Sequence, residues 1–318
     1  MRVVRGSANL DRAGGPYVVG IGIFDGVHLG HQTLMRKVLA LSAAAGLPSL
    51  AYTLDPHPMQ VLRPASAPKL IEPLGVRLAH LEALGIGTTV IEPFSADFAA
   101  KSAESFACEV LAERVGARHV VVGSQFTFGH QRGGNVEKLT AWGQAAGFGV
   151  HPVETLRINE IIVSSSKVRE YIWAGTMRGA ALLLGRPFAL SGIVLRGAQR
   201  GTSLGFPTAN LHSHFELIPS NGVYVGRASC EAGMFAAVVN VGYTPTFGGK
   251  ELKIEAHLPD YHGGPLYGAA MTIEFIDRLR DEMRFSDVEA LKAQIHRDIA
   301  HARRVLAEAP KPEARGAR

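Results

Sequence analysis

The sequence predicts two modules of different class: an α/β domain built on a parallel sheet, followed by a small antiparallel β-barrel with a terminal helix. Three observations carry this. The chain of 318 residues exceeds one average domain and fits two, each able to bury its own core. In the first half, β-rich runs alternate with amphipathic helical stretches, the pattern of strands joined by crossover helices. Beyond residue 185 the strand-like runs are separated only by Gly and Pro turns, which suits an antiparallel barrel.

The elements follow in order. Strands are expected at Tyr17–Phe24, Ser49–Leu54, Thr88–Glu92, Arg118–Gly123 and Gly149–Glu154. Between them, Gln32–Ala45 places Leu34, Val38 and Leu41 on one helical face, and Ser105–Val115 turns Val110 and Leu111 inward. Two short helices, Lys167–Ala174 and Arg178–Leu184, stop at Gly185 and Pro187, so the module boundary is expected at Gly185, with domains 1–185 and 186–309. The second module offers strands at Ala189–Leu195, Gly222–Ser229, Phe235–Val241, Lys253–His257 and Ala270–Phe275. Ser286-Asp287-Val288-Glu289 reads as a capping box with Ser286 as the cap, opening a helix to about Leu306.

Composition narrows the function classes. Apolar residues are 47% and charged residues 19%, and no run approaches the roughly 18 apolar residues of a membrane span. No secretion-type apolar segment lies in residues 1–15, and Cys108 and Cys230 are too few and too far apart for a disulfide framework or a paired zinc site. A cytoplasmic protein with no membrane partner is expected. The basic excess sits at the chain ends. The stretch 301–318 holds five Lys/Arg against two Asp/Glu, without interleaved aromatics, so 310–318 is expected to be a solvated, disordered basic tail rather than a nucleic-acid arm.

The sharpest motif is Gly22-Ile23-Phe24-Asp25-Gly26-Val27-His28-Leu29-Gly30-His31, placed after a strand and before a helix. A glycine-rich turn there lets backbone N–H groups approach a phosphate, helped by the helix N-terminus. Asp25 stands where a dinucleotide fingerprint needs its third glycine, and the His spacing lacks the H-E-x-x-H pattern of zinc proteases. Two structural histidines, or two imidazoles that steady an α-phosphate during in-line attack, remain. The segment resembles the H-x-G-H signature of nucleotidyltransferases, and its longer form is similar to that of bacterial FAD synthetases, the bifunctional riboflavin kinase/FMN adenylyltransferase family.

Six further segments match that family in order. Asp55-Pro56-His57-Pro58 follows a strand, where His57 either contacts ligand or only shapes a turn. Gly123-Ser124-Gln125-Phe126-Thr127-Phe128-Gly129 resembles the family's flavin and ATP segment, with Gln125 where Asp or Asn is usual. Ser164-Ser165-Ser166-Lys167-Val168-Arg169 resembles a Ser-Ser-Thr-x-x-Arg phosphate motif, or is an N-cap cluster with a surface Arg. Gly201-Thr202-Ser203-Leu204-Gly205-Phe206-Pro207-Thr208-Ala209-Asn210 matches the riboflavin kinase signature, whose Thr and Asn oxygens suit Mg²⁺ and which otherwise reads as a turn. Lys253–Leu258 resembles the strand bearing the catalytic Glu, here Glu255, and the Arg278–Phe285 stretch, with Arg280, matches as well. Thr244 stands where the family usually has Arg.

The resemblance implies a Rossmann-like nucleotidyltransferase domain and a riboflavin kinase-like barrel. It implies Mg²⁺ and ATP, with riboflavin, FMN and FAD as substrates and products. His28 and His31 would be catalytic in the first module, with Gly22, Phe24, Asp25, Gly26, Ser164, Ser165, Ser166 and Arg169 on phosphates. His57, Gln125, Phe126 and Phe128 would take flavin and nucleotide. In the barrel, Glu255 would be the base, Thr208 and Asn210 would hold metal, and Gly201, Gly205, Phe206, Pro207 and Arg280 would bind ATP or flavin. Two alternatives stay open: a kinase with a degenerate first half, and a flavin-binding protein without turnover. No feature of the sequence sets an oligomeric state.

Overall fold

The computed structural model describes residues 1–197, 200–246 and 249–309. The chain divides into two compact units, Met1–Ser165 and Ser166–Arg318.

The first unit holds strands β1 (Arg2–Arg5), β2 (Tyr17–Ile21), β3 (Ser49–Asp55), β4 (Thr88–Pro93), β5 (Ala117–Gly123) and β6 (Gly149–Val153). Its helices are α1 (Leu29–Ala45), α2 (Pro58–Leu62), α3 (Leu74–Ala83), the short turns α4 (Ala96–Ala99) and α5 (Ala103–Ser105), and α6 (Val136–Ala146), with a π-helical stretch over Phe106–Val115. All six strands run parallel in the order β1-β4-β3-β2-β5-β6. Parallel strands need crossovers, and these cover both faces, so alternate residues of one strand enter different cores. Val18 packs with Leu34, Met35 and Val38 of α1, whereas Val19 joins Phe106, Val110 and Leu111 on the other face. The expected doubly wound domain is present. The strand β1 was not expected: its Arg-Val-Val-Arg pattern carries little apolar signal, and it is held by its ladder to β4.

The order reverses between β2 and β5, which run side by side while the chain moves outward from them in both directions. Ligands of open α/β sheets collect outside the carboxyl ends of the strands at such a switch point. Both the Gly22–His28 loop and the Gly123–Gly129 segment leave the sheet there. A small hairpin, β7 (Arg157–Ile158) and β8 (Ile161–Ile162), follows β6.

The second unit begins with α7 (Ser165–Trp173) and α8 (Met177–Leu184). Strands β9 (Phe188–Leu195), β10 (Thr208–Ser213), β11 (Gly222–Cys230), β12 (Gly233–Thr246), β13 (Gly249–His257) and β14 (Ala270–Arg280) form a closed barrel in the order β10-β13-β12-β11-β14-β9. A short helix, α9 (Arg200–Leu204), precedes β10, and α10 (Val288–Glu308) ends the described chain. The barrel and terminal helix agree with the sequence. Helix α10 starts one residue later than a Ser286 cap requires: the cap is Asp287, whose carboxylate accepts from the Ala290 N–H at 2.8 Å, while Ser286 donates to Asp287 at 2.9 Å. A carboxylate is the stronger acceptor at the positive end of a helix. The tail 310–318 and the side chain of Thr244 lie outside the described residues.

Candidate active sites in the two units

The loop after β2 is pinned from below before it reaches α1. Asp25 is 1% exposed, and its carboxylate accepts from the Ile71 N–H at 3.0 and 3.1 Å and from the Glu72 N–H at 3.3 Å. Its backbone carbonyl accepts from the Ser165 hydroxyl at 2.9 Å. Gly26 has φ of +81°, and a Cβ there would meet the Ile71 side chain at 2.9 Å, so only glycine fits the loop against this neighbour. Phe24 is fully buried and meets the His31 ring edge-on at 5.3 Å.

His28 is the N-cap of α1, and its Nδ1 accepts from the His31 N–H at 3.3 Å. An accepting Nδ1 places the proton of a neutral ring on Nε2. The two imidazoles stack with centroids 3.6 Å apart and planes 16° from parallel.

Beside the loop lies a cavity of about 1090 Å³ whose walls include Gly22, Ile23, Tyr52, His57, Phe106, Phe126 and Phe128. Phe126 and Phe128 stack at 5.2 Å and 13°, and Phe128 packs on Phe106 at 5.6 Å. The Tyr52 hydroxyl donates to Glu92 at 2.7 Å; burial, and then the nearby carboxylate, push this phenol far above its ordinary range, so it stays protonated. Glu92, 7% exposed, also accepts from the Ser7 N–H at 3.0 Å. His57 caps α2: its Nδ1 accepts from the Met59 N–H at 3.1 Å, and its own N–H donates to Gln60 at 3.1 Å. It therefore shapes the turn and lines the cavity at once. Gln125 is exposed and is not among the lining residues. Ser164 and Ser165 close the first unit, while Ser166 and Arg169 lie on α7 in the second.

In the barrel, directly paired residues share a face. Asn210 of β10 pairs with Glu255 of β13, which pairs in turn with Asn240 of β12. Thr208 pairs with His257 in the next row. Ala209, Leu211, Ile254 and Ala256, the intervening residues, are buried, so the polar set occupies the outer face. Strand β10 is where the sequence suggested a turn: Pro207 ends the turn, and Thr208-Ala209-Asn210 is already paired strand. Gly201 accepts from the Phe206 N–H at 2.8 Å, and Phe206 meets His257 and His296 edge-on at 5.6 and 5.1 Å. Asn240 was missed by sequence reasoning; its signal is a lone amide in the apolar run Phe235–Val241. Arg280 is engaged by α10: its Nη2 and Nε donate to Asp298 at 2.8 to 3.2 Å. Among the described residues no cluster of three or more His, Cys, Asp or Glu side chains could hold a metal ion, and no helix is long and apolar enough to cross a membrane.

Residues 11–167 match the family model described as FAD synthetase, and residues 184–306 match the one described as riboflavin kinase. A bifunctional riboflavin kinase/FMN adenylyltransferase from Pseudomonas fluorescens is 34% identical over 308 residues, covering 96% of this chain and 98% of that protein. The chain belongs to the bifunctional riboflavin kinase/FMN adenylyltransferase family. Its Escherichia coli K12 member is 33% identical across 95% of the present chain and 97% of its own length. A crystal structure described as a macrolide-efflux protein from Streptococcus pneumoniae superposes with a TM-score of 0.87 at 27% identity, over 95% of this chain and 99% of that one. The first family match covers the first unit from residue 11 and runs two residues past its end, the second lies wholly in the second unit, and each contains one of the candidate sites.

Proposed function

We propose a division of labour between the units of this bifunctional transferase. The enzyme phosphorylates riboflavin to FMN with ATP and adenylylates FMN to FAD with release of pyrophosphate, and the observation that carries the assignment is that each unit holds its own constellation. The His28–His31 stack at the start of α1, beside an aromatic cavity, serves adenylyl transfer; the Asn210–Glu255–Asn240 row on the barrel face serves the kinase.

In the first unit the planar flavin suits the cavity walled by Phe106, Phe126 and Phe128, since offset stacking on aromatic faces rewards a flat ring system. The Nε2–H of His28, together with His31, steadies the charge that builds on the α-phosphate as the FMN phosphate attacks in line. Asp25 and Gly26 act by shaping the loop, with Gly22 at the cavity wall. Ser164 and Ser165 are assigned to the β and γ phosphates on their motif alone.

In the second unit Glu255 accepts the proton of the riboflavin 5′-hydroxyl as it attacks the γ-phosphate. Thr208 and Asn210 present a hydroxyl and an amide oxygen on one face of β10, hard donors of the kind that hold Mg²⁺ when nucleotide phosphates and water supply the other ligands. Held by these two side chains, Mg²⁺ would supply charge neutralisation on the transferring phosphates. Gly201, Gly205, Phe206 and Pro207 border the nucleotide. Arg280 acts through its pairing with Asp298, which fixes α10. We place the functional boundary at Gly185, one residue into the riboflavin kinase match that begins at residue 184. The free thiols of Cys108 and Cys230 support a reducing, cytoplasmic setting.

The deciding experiment incubates the purified chain with riboflavin, ATP and Mg²⁺ and separates the flavins by chromatography. FAD supports both assignments, FMN alone refutes the first, and neither product returns the chain to a binding role.

A further inference from the structure

Arg77 lies in α3, outside every motif named above, yet it is 2% exposed and among the largest fully buried side chains. Its Nη1 donates to the Ile23 carbonyl at 2.8 Å and its Nη2 to Asp55 Oδ1 at 3.1 Å. Ile23 belongs to the phosphate loop and lines the aromatic cavity; Asp55 ends β3, two residues before His57, which lines the same cavity. The Ile23 carbonyl also accepts from the Thr53 hydroxyl at 3.1 Å, so two side chains hold it from below.

We propose that Arg77 is a positioning residue for adenylyl transfer, locking the loop after β2 to the turn after β3 so that the His28–His31 stack and the His57 wall face one another at a fixed spacing. The proposal rests on the adenylyltransferase reading of this unit. The planar guanidinium is suited to it: its donors diverge at fixed angles, so two contacts define the separation of the groups they hold. A burial this deep keeps Arg77 off the substrate, and its buried Nε has no hydrogen-bond partner among the described residues. A buried cation so incompletely satisfied is a costly way to hold two loops together. Its charge also lies beneath a loop that receives polyphosphate, and the Asp55 carboxylate, about 30% exposed, offsets it partly. Misplacing reacting groups by about 1 Å costs on the order of 10²-fold in rate, so a distant tether is felt in the chemical step.

The test uses the full chain with Asp55→Ala, which removes the acceptor, and with Arg77→Met and Arg77→Lys. Single-turnover AMP transfer to saturating FMN is measured per mole of flavin bound, titrated by fluorescence quenching, so that misfolded protein is not counted. Asp55→Ala and Arg77→Met are expected to slow transfer by about 10-fold or more with less than about threefold change in FMN affinity. Arg77→Lys, which keeps the charge and can reach one or both partners, is expected to recover most of the rate. Should Arg77→Met fail to fold, the partly exposed Asp55 carries the test alone. Stoichiometric FMN binding with parental transfer rates in Asp55→Ala overturns the proposal. An unsubstituted chain that makes no FAD overturns instead the reading on which it rests.

Discussion

The imidazole of His28 lies over that of His31, ring on ring at 3.6 Å, while its Nδ1 accepts from the His31 N–H in the first turn of the helix that His28 caps. One side chain thus ends a loop, starts a helix and presents a donor.

Because His28 does all three, His28→Ala and His28→Asn separate them. Asn is as good a helix cap but lacks the ring donor. Both variants are expected to lose about 10²-fold or more of FAD formation, as removal of one charge-stabilising donor does elsewhere. FMN formation should be unchanged in the same preparations. Equal loss in both assays would show that the two sites are not separate.

Glu255→Gln keeps shape and most hydrogen bonding but cannot accept a proton. The kcat for riboflavin phosphorylation is expected to fall by about 10²-fold or more, with a smaller change in KM. FAD formation from supplied FMN should persist. Near-parental kinase turnover would make Glu255 a strand residue with no chemical role.

Asp298 is 6% exposed and takes three donor contacts from Arg280. Asp298→Asn leaves the Arg280 charge poorly compensated beneath the middle of α10, and the barrel unit should lose about 3 kcal/mol in chemical denaturation. The kinase KM for ATP should then rise only if the helix shifts. Stability within about 1 kcal/mol of the parent would show that water replaces the pairing.

His119 and His151, on β5 and β6, share a contact of 3.1 Å between Nδ1 and Nε2. Burial, then the His119 ring and Lys37, hold His151 below its ordinary range. A histidine whose folded-state value is depressed binds fewer protons folded than unfolded, so stability is present above pH about 6.5 and declines as the pH falls through that value. Denaturation melts from above to below this pH should show a smaller loss for His151→Asn than for the parent. Parallel pH profiles would remove His151 from the account.

The parts of each site that come from one continuous segment were legible in the sequence. Gly22 to His31 is ten consecutive residues, and its strand, turn and helix start are all local. Glu255 and Asn210 were nameable one at a time, but their pairing, and Asn240 beside them, depends on barrel register. Arg77 meets Ile23 across 54 positions and Glu92 meets Tyr52 across 40, and no local pattern marks an Arg or a Glu for burial. The Ser286 cap was off by one because both Ser and Asp can cap, and only geometry shows which oxygen faces the amide. Strand β10 was hidden by its own motif, since a proline followed by Thr and Asn has the composition of a turn.

The barrel closes β9 onto both β10 and β14, whereas the parallel sheet stops at β1 on one side and β6 on the other. A terminal strand is a template for stray chains during synthesis, and the two ends are guarded by different means. Strand β1 flanks its paired valines with Arg2 and Arg5, and β6 carries Pro152, which has no N–H to offer a newcomer. Replacing Pro152 with a β-branched residue would leave both chemistries intact on paper, yet it would open the sheet to strand addition, and the cost would appear as aggregate in the expressing cell rather than as lost turnover.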